Sequence, residues 1–285
     1  MSWLRQLYYR LPPVARRWAR RVVYLPLDVW DLALGRNKGY PPRGKIFTGL
    51  SNFRSTGDRF LGYFVTYGQL KPEGKVLDIG SGIGRMAIPL SRYLSSEGRY
   101  EGFDIVAAGI NWCRKHISRR YPHFTFTLVD LENDLYTSHG AAADAFVFPY
   151  HDDQFDLSIL TSVFTHMLPA EVENYLSEIS RTLASGGRCL ATFFIVNEEA
   201  KGYMAANPDC FQFPYDQGHY RLLDEKVKAA NVAYEESYLR QVLADRNLKV
   251  VEWLYGFWSG RPKSSSLEFQ DVLILEKIHP DAPST

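Results

Sequence analysis

Cysteine is scarce in this chain: Cys113, Cys189 and Cys210 are the 3 in 285 residues. They stand far apart with no CxxC pair, which excludes a disulfide framework and a reducing compartment is the default. Cys113 and His116 sit at ligand spacing, but no second pair is near enough to complete a site, so no metal is expected. Long apolar runs are missing as well. Nothing approaches the ~18 apolar residues of a spanning helix, and the N-terminus lacks the uninterrupted apolar core of a secretion signal, so a cytoplasmic location is expected. Net charge is almost absent, +1 from 33 basic and 32 acidic residues, which argues against a polyanionic partner for the molecule as a whole.

Acidic residues are also missing before Asp28, in a stretch that carries Arg5, Arg10, Arg16, Arg17, Arg20 and Arg21. Leu4, Leu7, Tyr8 and Leu11 share one helical face there, and after Pro12-Pro13 the pattern resumes with Val14, Trp18 and Val22. Such an arm either packs on its own domain or lies on an anionic membrane surface through residues 1–25. Its basic charge is confined to that segment, and no Asn-Pro-Pro-Tyr-type motif for a flipped base occurs, so nucleic acid is not an expected partner. Scarce serine argues against a transit peptide.

What is present is ordinary globular material, 46% hydrophobic and 23% charged, enough for one domain with decorations. Residues 36–58, with Pro41-Pro42 and the run from Asn52 to Asp58, read as a connector forming one wall of a cleft, so that residues 1–58 precede a domain at 59–280. A helix is expected over 59–70. From Lys75 strands and helices then alternate, with strands at 75–79, 99–104, 124–129, 155–161 and 188–196 and helices at about 83–94, 107–120 and 169–183. Alternation of this kind implies an α/β fold, an open parallel sheet covered on both faces. Residues 197–232 interrupt it with many aromatics, after which a helix at 234–246 and strands at 249–257 and 269–277 close the chain.

The chemistry points to the stretch from Val76 to Arg85, an apolar run followed by Gly80, Gly82 and Gly84. It reads as strand, tight turn and helix start, with glycines that let a ligand lie against bare amides at the helix N-terminus. A dinucleotide fold uses a similar loop for a pyrophosphate. Asp78, two residues before the first glycine, would repel phosphates and attract an ammonium, which suits S-adenosylmethionine. Asp104 stands at the end of the next strand, 20 residues beyond Gly84, where a carboxylate can accept from two ribose hydroxyls, with Ile105 beside the adenine. At the end of the third strand Asp130 and Leu131 are placed to meet the adenine amino group and ring.

The Val76–Arg85 stretch, Asp104, Asp130 and the strand Phe155-Asp156-Leu157-Ser158-Ile159-Leu160 resemble class I S-adenosylmethionine-dependent methyltransferases. The run from Phe148 to Asp156 and Ser185-Gly186-Gly187 resemble the small-molecule branch of that family. The resemblance implies a Rossmann-like sheet of seven strands with the last antiparallel, methionine held at Asp78, Gly80, Ser81, Gly82 and Gly84, ribose at Asp104, and adenine at Asp130 and Leu131. Arg85 stands where a small residue is usual.

Methyl transfer is an in-line displacement that chiefly needs positioning; a base is required only for an acceptor that must lose a proton. The segment from Thr161 to Met167 after the fourth strand brings polar groups to the cleft mouth, Thr161 on the cofactor side and His166 as the first base candidate. His219, in the aromatic insert, is the second. Tyr203, Phe211, Phe213, Tyr215 and Tyr220 there suit a lid lining an acceptor pocket, a small core of their own, or both. The acceptor expected is a small molecule or saccharide methylated on oxygen or nitrogen. A non-catalytic binder of adenosyl ligands is the alternative; a nicotinamide-dependent oxidoreductase is disfavoured by Asp78 and by the lack of a Tyr-x-x-x-Lys.

Overall fold

The computed structural model describes residues 13–47, 52–131, 140 and 142–278. The expected arm face at Leu4, Leu7, Tyr8 and Leu11 lies outside the described residues. Helix α1, Pro13–Ala33, opens the described chain. It leads through the turn Arg43–Lys45 to α2, Phe53–Thr66. Asn52 caps α2, its side chain accepting from the amides of Arg54 and Ser55, so this helix starts and stops earlier than the expected 59–70.

Strands β1 (Lys75–Ile79), β2 (Arg99–Asp104), β3 (Phe124–Leu128), β4 (Phe155–Leu160), β5 (Leu183–Phe193), β10 (Leu248–Leu254) and β11 (Asp271–Lys277) form one sheet. Its order is β10-β11-β5-β4-β1-β2-β3. All neighbours pair parallel except β11, which runs antiparallel to both β5 and β10. The expected seven-stranded, mostly parallel sheet with its last strand antiparallel is therefore present.

Alternation along the strands splits the core. Val76, Leu157, Ile159 and Leu190 bury against α2, α3 (Ala87–Tyr93) and α4 (Ala107–Cys113, continued by a π-helical turn Arg114–Ser118). Leu77, Ile79, Phe155 and Phe193 face the other way, against α5 (Pro169–Thr182) and α7 (Glu236–Ala244). Both faces are covered, as a parallel sheet requires.

Beyond β5 the chain leaves this sheet. β6 (Ile195–Val196), β7 (Tyr215–Asp216), β8 (Tyr220–Leu222) and β9 (Val232–Glu235) make a second sheet in the order β6-β9-β8-β7, with α6 (Glu198–Ala206) after β6. Phe194, Phe213 and Trp258 form a buried centre beneath it, with Phe211 and Phe269 against Phe194. Of the two readings of the aromatic insert, a core of its own is thus realised for Phe211 and Phe213.

Candidate functional site

Parallel strands deliver their C-terminal ends to one edge, and a crevice opens where the chain order reverses, here between β1 and β4. The glycine turn rises at that point. Gly80, Gly82 and Gly84 have φ of 79°, 59° and 81°, a region that side chains with a Cβ adopt only with strain. A Cβ on Gly80 would lie 2.5 Å from Cγ2 of Val163, which follows β4, so the two banks of the crevice touch here.

The amides of this turn are not bare. Gly80 and Ser81 both donate to the Phe103 carbonyl at 3.0 Å, Gly82 donates to Oδ2 of Asp104 at 2.8 Å, and Gly84 donates to the Ser81 carbonyl at 3.0 Å. The expected helix start at 83 is also corrected: residues 82–86 form turns and α3 begins only at Ala87, because the positive φ of Gly84 interrupts a right-handed helix. An anion-binding nest of helix-terminal amides is thereby missing from the turn, and a pyrophosphate would find its donors already committed.

Asp104, at the end of β2, is fixed by the same bonds: Oδ2 accepts from Gly82, and Oδ1 accepts from Val106 at 2.7 Å. An ionised carboxylate has about four acceptor positions, so capacity remains for a hydroxyl donor beside these backbone donors. Burial raises its pKa, opposed by the backbone donors around it. Ile105 is half-buried beside it. The Asp104 carbonyl accepts from Val129 at 3.1 Å, which brings the end of β3 alongside. Of the two residues expected at the adenine, Asp130 is exposed and Leu131 is buried with Phe103.

Asp78 is placed differently from expectation. It is 1% exposed, on the α2–α3 face beneath the turn, and its Oδ2 accepts from the Tyr100 hydroxyl at 2.5 Å. Gly102, opposite Asp78 in the β1–β2 register, makes this possible, since a Cβ there would lie 2.9 Å from the Tyr100 oxygen. Asp78 therefore makes no open contact with the crevice, and its effect on a ligand is the field of a buried carboxyl. Burial pushes it up to about 7 against the Tyr100 hydrogen bond, with Asp104 adding repulsion and Arg85 offsetting it. Arg85 is itself buried between Asp78 and Glu268, which gives a structural place to the residue that departs from the family pattern.

The other bank is built from β4 onward. Thr161 is half-buried, and Ser162 follows at φ 59°, a strained value for a non-glycine residue. It is held there by its amide donating to Oγ1 of Thr192 at 2.7 Å and its hydroxyl donating to Oε1 of Gln270 at 2.9 Å. Glu268, two residues before Gln270, accepts from Arg59 and Tyr63 of α2, so the loop before β11 is tied across to α2. Ser162 belongs to the polar Thr161–Met167 segment, whereas Tyr100, Glu268 and Gln270 stand in no local motif of the sequence. On the near side, a Cβ built on Gly109 would lie 2.3 Å from the Gly82 carbonyl oxygen and 3.0 Å from the Phe47 ring, so Phe47 and the Gly82 carbonyl both pack at the start of α4.

Residues 77–191 match the family model described as a methyltransferase domain. Over that stretch the chain is similar to methyltransferase domains. A crystal structure of a Pyrococcus horikoshii OT3 protein is similar in fold, with TM-score 0.56 and 16% identity over 82% of this chain and 95% of that one. So is the Burkholderia thailandensis 1,6-didemethyltoxoflavin-N1-methyltransferase, solved with 1,6-didemethyltoxoflavin and S-adenosylhomocysteine bound, at TM-score 0.51 and 16% identity over 92% of this chain and 90% of that one. The turn, with its strained glycines and committed amides, fits a donor free of phosphates. Ser81 adds a buried hydroxyl that finds no partner among the described residues.

The two histidines lie apart. His166 is half-buried, and its Nδ1 donates to the Ala229 carbonyl at 2.9 Å. Burial lowers its pKa, so the ring is neutral at pH 7. His219 is exposed at the β7–β8 turn, its ring 4.6 Å from that of Tyr238. Among the described residues no cluster of His, Cys, Asp or Glu could hold a metal ion.

Proposed function

We propose that this enzyme transfers a methyl group from S-adenosylmethionine to an oxygen or nitrogen of a small-molecule or saccharide acceptor. The observation that carries the donor half is the glycine turn whose own amides are consumed while Asp104 keeps acceptor capacity beside Gly82. When bound, S-adenosylmethionine supplies an electrophilic methyl group on a sulfonium. Gly80, Ser81, Gly82 and Gly84 bound the methionine end, Asp104 accepts from the ribose hydroxyls, and Ile105, Asp130, Leu131 and Thr161 flank the adenosyl group. Asp78 contributes negative potential from beneath the turn.

The chain's remaining task is to hold the acceptor in line and keep water out. Residues 197–232 are assigned to the acceptor side. His166 is the assigned base: with the proton on Nδ1, the other ring nitrogen carries the lone pair. His219 is the alternative where the acceptor is drawn toward the insert. On this reading residues 1–58 are an extension and connector to a domain at 59–280, and the protein works in the cytoplasm.

The reading is tested by titration calorimetry with S-adenosylmethionine against NAD, followed by methyl transfer over a panel of hydroxyl and amine acceptors. Binding of the first and not the second is expected, with turnover on part of the panel. Binding without turnover would favour the non-catalytic binder, and NAD binding would overturn the donor assignment.

A further inference from the structure

Helix α1 is amphipathic in the reverse sense. Its polar side faces the protein: Asp28 accepts from the amides of Arg43 at 2.7 Å and Gly44 at 3.0 Å, and Asp31, 8% exposed, pairs with Arg43 at 3.0 Å. Arg20 donates to the Arg43 carbonyl at 3.3 Å from the same side. The packing partner of α1 is thus the short turn Arg43–Lys45. Its apolar side chains face solvent. Trp18, Val22, Leu25, Val29 and Leu32 form one stripe at spacings of three and four, exposed by 61%, 67%, 58%, 56% and 79%. Val23, Leu27, Trp30 and Leu34 widen it, all of them exposed.

Exposing so much contiguous apolar surface is costly in water and marks a docking face. We propose that this face, over residues 18–34, lies in the interfacial layer of an anionic lipid bilayer, and that α1 is the enzyme's membrane anchor. Charge complementarity selects that occupant. The chain through Arg21 holds six arginines and no acidic residue, while Asp28 and Asp31, the acidic groups of α1, are already engaged by the Arg43–Lys45 turn. Trp18 and Trp30 add the aromatic groups that favour the headgroup level. Among the described residues no helix is long and apolar enough to cross a membrane, so α1 lies on the surface. Phe47, two residues after the Arg43–Lys45 clamp, packs at Gly109 of α4, which itself abuts the Gly82 carbonyl, so the anchor is followed closely by a residue packed beside the α4 start. The inference is independent of the methyl-transfer reading.

The test is co-sedimentation of the full chain with vesicles of mixed phosphatidylglycerol and phosphatidylcholine, and with phosphatidylcholine alone. Binding to the anionic vesicles is expected, weaker by about tenfold or more on neutral ones and weakened by salt. The triple variant Val22→Glu, Leu25→Glu, Val29→Glu removes no buried contact and should lose about tenfold or more of vesicle binding. S-adenosylmethionine affinity, read in parallel, should stay unchanged and shows that the variant is folded. Equal partition of wild type and variant would overturn the proposal. So would a concentration-dependent dimer, dissolved by the same substitutions, in a protein that leaves anionic vesicles untouched.

Discussion

Asp78 offers the sharpest test of how the donor turn works. Burial lifts its carboxyl from an ordinary 3.8 to about 7, and Asp271, buried at the start of β11, is lifted equally far. Each group therefore holds its proton more tightly folded than unfolded. Stability drawn from each is fully present below about pH 4 and is lost as pH rises through about 7. At ~1.4 kcal/mol for each tenfold change, the complete loss is about 4 kcal/mol per group. Asp78→Asn keeps the acceptor for Tyr100 and removes one of the two titrations.

Urea unfolding between pH 4 and pH 8 reads the effect directly. Wild type should lose stability steeply across that window, and the variant should lose about 4 kcal/mol less. The same substitution reports on the ligand. A cation above the turn favours ionised Asp78, so S-adenosylmethionine affinity should climb with pH up to about 7, by at most about tenfold per pH unit, and flatten in the variant. Superimposable stability profiles for wild type and variant would refute the account of a strained, proton-holding carboxyl. A flattened stability profile with an unchanged affinity profile would leave the strain and remove its coupling to the donor.

Asp104→Ala should cut S-adenosylmethionine affinity about 100-fold or more, and by orphaning the Gly82 and Val106 amides should cost about 1–3 kcal/mol of stability; calorimetry and urea titration separate the two. Gly80→Ala places a Cβ 2.5 Å from Val163 at a φ of 79° and should destabilise by about 2–4 kcal/mol while weakening the donor, in contrast to Gly186→Ala, where open space leaves only the φ penalty. Should His166 be the base, His166→Gln lowers kcat by about 100-fold with donor affinity unchanged and removes the acidic limb of the pH profile; an unchanged kcat would reassign it to holding Ala229.

The sheet was legible because its information is local. Apolar runs bounded by Gly, Pro and polar turns set β1, β2, β3 and β4 to within a residue or so of where they lie. The expected helix at 234–246 takes in only the second half of β9, Tyr234-Glu235, because Val232-Ala233-Tyr234-Glu235 is extended by pairing with β8 and β6 rather than by a local signature. Likewise Ser185-Gly186-Gly187 reads as a break, yet β5 already starts at Leu183, paired to Phe155. In the crevice, Gly80, Gly82, Gly84 and Asp104 could be found from spacing. The partners that determine how they act could not. Tyr100 reaches Asp78 only because Gly102 lies between them in the folded register, and Phe103 captures two turn amides through its carbonyl, which any residue would carry.

The banks of the crevice differ in what holds them, and that difference locates specificity. The bank assigned to the donor is held by the Phe103 carbonyl and the Asp104 carboxylate, both within one continuous β1–β2 unit. The bank assigned above to the acceptor is assembled from distant segments by a few side chains. Asp271 gathers the amides of Ile195 and Gly256 and the indole of Trp258, at 2.6, 2.7 and 2.7 Å. Tyr234 donates to the Met167 carbonyl at 2.5 Å, and His166 to that of Ala229. A carboxyl held near 7 by burial and satisfied by three donors tolerates the loss of none of them cheaply. Trp258→Phe, which keeps the ring and removes one donor, should therefore loosen the insert: about 1–3 kcal/mol of stability lost, a raised acceptor KM, and S-adenosylmethionine affinity unmoved. If donor affinity falls in parallel with acceptor KM, the two banks are one cooperative unit and specificity is not confined to the insert.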